Sequence, residues 1–277
     1  MSETKKRHGT RFHEVKVPEG PNLHGIAENL YSLQQDLEIA RKIQNRLLPP
    51  KPHLTGYDFE VYYQPAGEVG GDFYDFIPMS GGRMGLLVAD ASGKGLAGAL
   101  LMVEARASIR TMASMTASPR EILASVNRVL LRDLEKGRFV TAFFVLLDPL
   151  RHTMTVSNAG HTPMLLCREV GKTIVEVAPK GLVLGVVPDA KFLDTLTEET
   201  VPLYPGDRFL IYSDGVNELM NPVNEEFGME RLTTWMRVNS HLWSEDAVKT
   251  LTDALEVHRA GQQQSDDITI LTGRIET

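Results

Sequence analysis

Between Asn29 and Pro50 the hydrophobic residues recur at alternating steps of three and four, which is the period of an amphipathic helix. Gln44 interrupts this apolar stripe, and the proline pair that follows it stops the helix because proline cannot continue the backbone hydrogen bonding. We therefore predict a linker helix over residues 29–50, after a leader over residues 1–28 that is expected to be flexible. The apolar positions of the stripe are Leu30, Leu33, Leu37, Ala40 and Leu47.

Two interpretations of this helix stay open. In the first, the stripe packs against the domain that follows it. In the second, residues 29–48 form a short parallel coiled coil, as the seam of a homodimer or as a relay from an upstream regulatory protein. Three heptads with one polar break do not decide between them.

After Pro52 the pattern changes to short runs rich in Val, Phe and Tyr, which predict strands, and to four longer amphipathic segments, which predict helices. The strands are predicted over residues 57–64, 72–79, 83–90, 139–147, 154–158, 164–168, 173–177, 195–203, 208–212 and 268–275. The helices are predicted over residues 96–115, 119–134, 228–238 and 244–258. Strands precede and follow a helical pair without βαβ alternation, which favours one α+β domain over residues 55–275 with mainly antiparallel sheets.

Composition narrows the class of protein. The net charge of −7 argues against nucleic acid as a main partner, because duplex binding depends on neutralising phosphates. The single cysteine, Cys167, excludes a disulfide scaffold and a Cys-rich zinc site, and it fits a reducing compartment. The apolar runs are too short for a membrane span and residues 1–16 lack the apolar core of a signal peptide, so we expect a soluble cytoplasmic protein.

Four acidic positions share one context: each stands where a predicted strand begins or ends, beside glycine or serine or another aspartate. They are Asp72, Asp90, Asp214 and Asp266, the last with Asp267 next to it. Taken alone, any of them could simply form a turn. Together they favour a metal site, since several buried carboxylates repel each other unless cations separate them. Oxygen ligands without a His or Cys cluster indicate Mg²⁺ or Mn²⁺, and two such ions can activate a water for attack on phosphorus.

Five segments occur in the order typical of one enzyme family. They are residues 68–75 (EVGGDFYD), 89–95 (ADASGKG), 158–161 (NAGH), 213–218 (SDGVNE) and 266–269 (DDIT). Together they resemble the signatures of the metal-dependent PPM (PP2C-like) serine/threonine phosphatases, and the bacterial SpoIIE/RsbU branch in particular. The segment 37–50 also resembles the linker helix of that branch. The resemblance implies a sandwich of two antiparallel sheets with helices outside.

The resemblance also implies roles for individual residues. Asp90 would bridge two metal ions, and with Asp72 it would hold the metal-activated water. Asp72 and the backbone carbonyl of Ala91 would hold one ion, while Asp214 and Asp266 would complete the site of the other. Further candidates for supporting the ligands or binding phosphate are Ser92, Lys94, His161 and Asp267.

One position departs from the eukaryotic relatives, which carry a histidine two residues after the bridging aspartate as the acid for the leaving group. Ser92 stands there in this sequence, and a hydroxyl is a poor acid near neutral pH. Lys94 and a metal-bound water are the alternatives, and the choice stays open. The helix pair that follows Asp90 offers a route by which the linker helix could control the metal site.

The implied substrate is a phosphoserine or phosphothreonine on a regulatory protein. In this branch that protein is typically a STAS-domain anti-sigma-factor antagonist, whose dephosphorylation acts through partner switching in sigma-factor and stress-response signalling. One competing hypothesis is a catalytically silent pseudophosphatase that binds partners; it predicts loss of the aspartates, and all four are present. A two-metal nuclease or nucleotide hydrolase is disfavoured by the acidic composition.

Overall fold

The computed structural model describes the backbone of residues 23–276 and the side chains from residue 28 onward. The predicted leader lies outside the described residues up to residue 22. The prediction of a flexible leader is wrong over residues 23–28, because helix α1 spans Leu23–Leu47 and includes them. The chain divides between Asp36 and Leu37 into two units, and α1 runs through this boundary.

The elements after α1 follow the predicted alternation of strands and helices. The strands are β1 (Tyr57–Gln64), β2 (Asp72–Met79), β3 (Arg83–Ala91), β4 (Val140–Asp148), β5 (Thr153–Ala159), β6 (Met164–Cys167), β7 (Ile174–Val177), β8 (Glu199–Pro202), β9 (Arg208–Tyr212) and β10 (Ile268–Ile275). The helices are α2 (Leu96–Ala113), α3 (Pro119–Asp133), α4 (Asp189–Thr195), α5 (Asp214–Asn217), α6 (Gly228–Asn239) and α7 (Ser244–Arg259). No helix within residues 23–276 has both the length and the apolar character to cross a membrane.

The strands form two five-stranded sheets, in the orders β1-β10-β9-β6-β7 and β2-β3-β4-β5-β8, and neighbouring strands are antiparallel. The two sheets share a core in which Phe76, Val88 and Phe143 of one pack with Phe209 and Leu271 of the other. Because side chains alternate along a strand, the intervening residues point to the outer faces. The α+β sandwich predicted from the sequence is confirmed.

Helices cover both outer faces, so the domain has four layers. On one side Met102 of α2 and Ile122 of α3 lie in a core with Leu87 of β3. On the other side Trp235 of α6 and Leu251 of α7 lie in a core with residues of β9 and β10. Strands that are covered on both faces consist almost entirely of hydrophobic residues. Charged residues begin where such a strand ends, so the ends of these strands can be recognised in the sequence.

The sequence did not predict two short α-helices, α4 and α5, and α4 corrects a predicted strand. The strand predicted over 195–203 is wrong in its first part, because α4 ends at Thr195 and β8 begins only at Glu199. Phe192 anchors α4 in the core beside α3, and the amide of Leu196 donates to the Phe192 carbonyl at 2.9 Å to close the helix. A helix of seven residues has too few turns to show a clear period.

Candidate metal centre

Two carboxylates lie side by side where two paired strands of the second sheet meet at the same end. Asp72 is the first residue of β2, and in the antiparallel register it lies opposite Asp90, near the end of β3. Gly71, just before Asp72, accepts a hydrogen bond from the amide of Ala91 at 3.2 Å. A Cβ at Gly71 would collide with the Ala91 carbonyl oxygen, so this close approach requires glycine. The pairing places Asp72, Asp90 and the Ala91 carbonyl in one small region.

The other carboxylates come from neighbouring strands of the first sheet. Asp214 follows β9 by two residues, and Asp266 and Asp267 immediately precede β10, which pairs with β9. The amide of Ser213 donates to the Thr269 carbonyl at 3.0 Å and extends this pairing toward the site.

Hydrogen bonds between the two sheets bring these halves together. Thr269 Oγ1 donates to Asp72 Oδ2 at 2.7 Å. Asp267 Oδ2 accepts from the amide of Gly71 at 2.7 Å and from that of Asp72 at 3.2 Å, and its Oδ1 accepts from Ala66 at 2.7 Å. The start of β10 therefore holds the start of β2. Beside them lies a cleft of about 490 Å³ whose lining includes Asp90, Ala91, Ser92, Lys94, Asp266 and Asp267.

The charges of this region are unfavourable without a counterion. Burial, and next the charge of Asp90, raise the pKa of Asp72 well above its usual value. Burial, and next the charges of Asp214 and Asp266, raise the pKa of Asp90 to about 7. The pKa of Asp214 is also raised, by burial and then by Asp266. The carboxylates thus repel one another, and cations bound between them would offset this repulsion.

The donor set fits magnesium or manganese, since it consists of carboxylate oxygens and one backbone carbonyl. Among the side chains that the structure describes, residues 28–276, no three of His, Cys, Asp or Glu already stand close enough to enclose a metal ion. The fold therefore brings the candidate ligands into one region, and their side chains do not yet form a coordination shell.

The predicted supporting residues fall into two groups. Ser92 and Lys94 line the cleft: Ser92 Oγ accepts from the amide of Phe139 at 2.9 Å, and Lys94 Nζ donates to the Ser265 carbonyl at 2.9 Å. His161 lies buried behind the site, with Nδ1 at 2.8 Å from the hydroxyl of Thr141, the residue opposite Asp90 on β4. Burial lowers the pKa of His161 to about 4, so the ring is neutral near pH 7.

Sequence reasoning missed three contacts around the site. The guanidinium of Arg138 donates to the Ser92 carbonyl at 3.3 Å and braces the glycine-rich turn. Asp75, fully buried on β2, forms ion pairs with Arg106 at 3.0 Å and Arg110 at 2.6 Å, which tie α2 to the strand of Asp72. The third contact is made by Gln44 of α1, whose side chain binds the main chain of Gly70. Gln44 left a signal in the sequence as a polar residue within an apolar stripe, and Asp75 belongs to the motif over residues 68–75.

Asp267→Asn is expected to weaken Mn²⁺ binding by about 10- to 100-fold, the usual effect of removing a group that orients metal ligands. Asparagine keeps one acceptor oxygen, so its NH₂ would face either the Ala66 amide or the amides of Gly71 and Asp72, and one side of this contact with the turn would be lost. Isothermal titration calorimetry measures the effect. Asp253→Asn, at an exposed position of α7, is the control, and equal affinities of the two variants would contradict the prediction.

A comparison of the chain with known families supplies the classification. The family model described as Stage II sporulation protein E (SpoIIE) matches residues 80–276. The chain belongs to the SpoIIE family. The match includes Asp90, Asp214 and Asp266, and Asp72 lies just before it. The family resemblance inferred from the motifs is confirmed.

Two curated relatives carry names that describe an activity. Phosphoserine phosphatase RsbU of Bacillus subtilis (strain 168) is 28% identical over 259 residues, which cover 92% of this chain and 74% of RsbU. Phosphoserine phosphatase RsbP of the same organism is 26% identical over 187 residues, covering 66% of this chain and 45% of RsbP. The chain thus spans less than half of RsbP.

Solved structures confirm the fold of this SpoIIE family member. The SiaA-PP2C domain of Pseudomonas aeruginosa superimposes with a TM-score of 0.80 at 24% identity, covering 90% of this chain and all (100%) of that domain. RsbX in complex with magnesium superimposes with a TM-score of 0.58 at 17% identity, covering 81% of this chain and 98% of RsbX. The sandwich of two sheets flanked by helices is therefore the PP2C architecture.

Proposed function

We propose that this chain is a metal-dependent protein phosphatase that hydrolyses phosphoserine or phosphothreonine on a regulatory protein. The observation that carries the proposal is the convergence of Asp72, Asp90, Asp214 and Asp266 at one edge of a PP2C sandwich, beside an open cleft. The phosphatase class follows from the SpoIIE family and from the two relatives named phosphoserine phosphatases.

The ligand assignment is the one that the family resemblance implies, and the positions of these residues in the two sheets support it. Asp72 and the Ala91 carbonyl, which lie together at the β2–β3 edge, would hold one cation, and Asp214 and Asp266 would hold the other, with Asp90 between them. Two bound divalent cations would supply an acidified water and neutralise charge on the phosphate. RsbX, which shares the fold, was solved with magnesium, and this supports Mg²⁺ or Mn²⁺ as the cofactor.

The remaining residues of the cleft orient these groups and the phosphate. Thr269 donates to the Asp72 carboxylate and Asp267 accepts from the Asp72 amide, so both the side chain and the main chain of Asp72 are held in place. Lys94 is exposed, lines the same cleft and bridges it through Ser265, which suits its ammonium for contact with a phosphate oxygen. Ser92 Oγ already accepts a backbone hydrogen bond, which favours a role in holding the turn.

The partners remain part of the proposal. A phosphorylated STAS-domain protein is the substrate that the family resemblance implies, and an upstream protein acting on α1 is the implied regulator. Ile39 and Ile43 of α1 are both more than half exposed, as are Leu30 and Leu33 before the unit boundary. Apolar side chains in this setting support contact with a partner helix, either from a regulator or from a second copy through residues 29–48.

A silent binding module is the second candidate, and the open arrangement of the carboxylates within residues 23–276 is the observation in its favour. Hydrolysis of p-nitrophenyl phosphate and of a phosphoserine peptide separates the two. We expect turnover that requires Mn²⁺ or Mg²⁺ and stops on addition of a chelator. Hydrolysis that continues unchanged after the chelator is added would contradict the metal mechanism. If neither ion supports hydrolysis, the result would favour the binding module.

A further inference from the structure

Gln44 is the polar residue that interrupts the apolar stripe of α1, and its side chain is only 3% exposed. Both ends of its amide bind one residue, Gly70. Nε2 donates to the Gly70 carbonyl at 2.7 Å, and Oε1 accepts from the Gly70 amide at 3.1 Å. The hydroxyl of Tyr63 lies 3.5 Å from the same Oε1. The side chain thus forms a closed, reciprocal pair with the main-chain N–H and C=O of one residue.

The residue that Gln44 holds belongs to the turn leading into the metal centre. The next two amides along the chain, those of Gly71 and Asp72, donate to Asp267. A Cβ at Gly70 would collide with the Asp267 carboxylate and would lie 2.8 Å from the Tyr63 hydroxyl. The turn is therefore held between Gln44 on α1 and Asp267 before β10, with no room for a side chain.

The need to fill space in the core does not explain why the side chain at position 44 carries an amide. Methionine is unbranched, similar in size and a good helix former, and it would continue the apolar stripe. A buried amide is tolerated only when its donors and acceptor find partners, and Gln44 finds them on the backbone of Gly70. The choice of residue thus concerns the orientation of that peptide.

We infer that Gln44 is a positioning residue for the metal centre: its amide holds the main chain of Gly70, so that the turn before Asp72 and its hydrogen bonds to Asp267 are in place before any ion binds. The inference rests on the proposed function insofar as it treats Asp72 as a ligand. It adds a route from the linker helix to the site that runs through the Gly70–Asp72 turn. The helix pair after Asp90 was the route suggested by the sequence.

Gln44→Met tests the inference in the full chain. We expect about tenfold weaker Mn²⁺ binding by calorimetry, with kcat at saturating Mn²⁺ within about twofold of the wild type, because bound ions restore the arrangement. In the metal-free protein, hydrogen exchange over residues 66–72 should be about tenfold faster. Gln35→Met, the same change at an exposed position of the same helix, should alter neither quantity.

Gln44→Glu is the second variant, which keeps an acceptor for the Gly70 amide and loses the donor to the Gly70 carbonyl. Faster exchange over residues 66–72 is again expected. Exchange and Mn²⁺ affinity equal to those of the wild type in a folded Gln44 variant would overturn the inference. If the wild type neither binds Mn²⁺ nor hydrolyses phosphate esters, the proposed function fails, and the exchange comparison alone then decides the positioning role: acceleration confined to the Gln44 variants supports it, and equal exchange overturns it.

Discussion

Asp90→Asn is expected to lower kcat/KM for phosphoserine hydrolysis by about 10³-fold or more and, at the same time, to stabilise the metal-free protein. The loss of activity corresponds to about 4 kcal/mol of transition-state stabilisation, which is reasonable for the ligand proposed to bridge both ions. An amide has nearly the same shape as the carboxylate, so the variant should fold. Activity would be measured with a phosphoserine peptide over a range of Mn²⁺ concentrations.

The gain in stability follows from the raised pKa values in this cluster. In the metal-free folded protein the pKa of Asp90 is about 7, well above the value in the unfolded chain, and those of Asp72 and Asp214 are raised too. A carboxyl with a raised folded pKa stabilises the fold when protonated, at low pH, and this contribution is lost as the pH rises through about 7. The wild type should therefore lose thermal stability between pH 5 and pH 8.

In Asp90→Asn this loss should be smaller, and at pH 8 without metal its Tm should exceed that of the wild type by a few degrees. Adding Mn²⁺ should reverse the order, because binding to the folded state stabilises the wild type more. Differential scanning fluorimetry at several pH values with and without Mn²⁺ measures both effects. Asp253→Asn, which removes an exposed carboxylate, should follow the wild type, and a less stable metal-free Asp90→Asn at pH 8 would contradict the electrostatic account.

Arg208→Met is expected to destabilise the protein by about 3–5 kcal/mol, the cost of breaking a buried charged network. Arg208 lies in β9 with 0% of its surface exposed. Its guanidinium donates to the carbonyls of Ser240, at 3.2 Å, and Leu242, and to the hydroxyls of Ser244 and Thr272, at 3.3 and 3.2 Å. Burial lowers its pKa to about 10, so it stays charged near pH 7.

The carbonyls of Ser240 and Leu242 lie in the loop between α6 and α7, where methionine would leave them without this donor. An unpaired buried carbonyl costs about 1–3 kcal/mol, which makes the expected total reasonable for two such groups. Urea denaturation monitored by circular dichroism gives the free energy of unfolding. Arg237→Met, at an exposed position of α6, is the control and should change stability by less than about 0.5 kcal/mol. A similarly small effect for Arg208→Met would show that the network contributes little.

The sequence alone determined the elements whose pattern is local. The predicted bounds of β1, β2, β9 and β10 agree with the structure, and α2, α3, α6 and α7 end within two residues of their predicted limits. These segments are long enough for burial on one or two faces to impose a period, and charged residues mark the ends of the buried strands. For the same reason the four aspartates could be recognised as a group, each being a strand-end charge.

The tertiary structure decided the features that depend on distant parts of the chain. Helix α4, the helical start of α1 at Leu23 and the burial of Arg208 have no clear local pattern. Asp267 stands 196 residues from Gly71, whose amide it accepts, and Gln44 stands 26 residues from Gly70. Which backbone groups a buried side chain will meet depends on how two sheets and a helix pack together. Residue type and spacing therefore identified the carboxylates, and only packing shows what holds them in place.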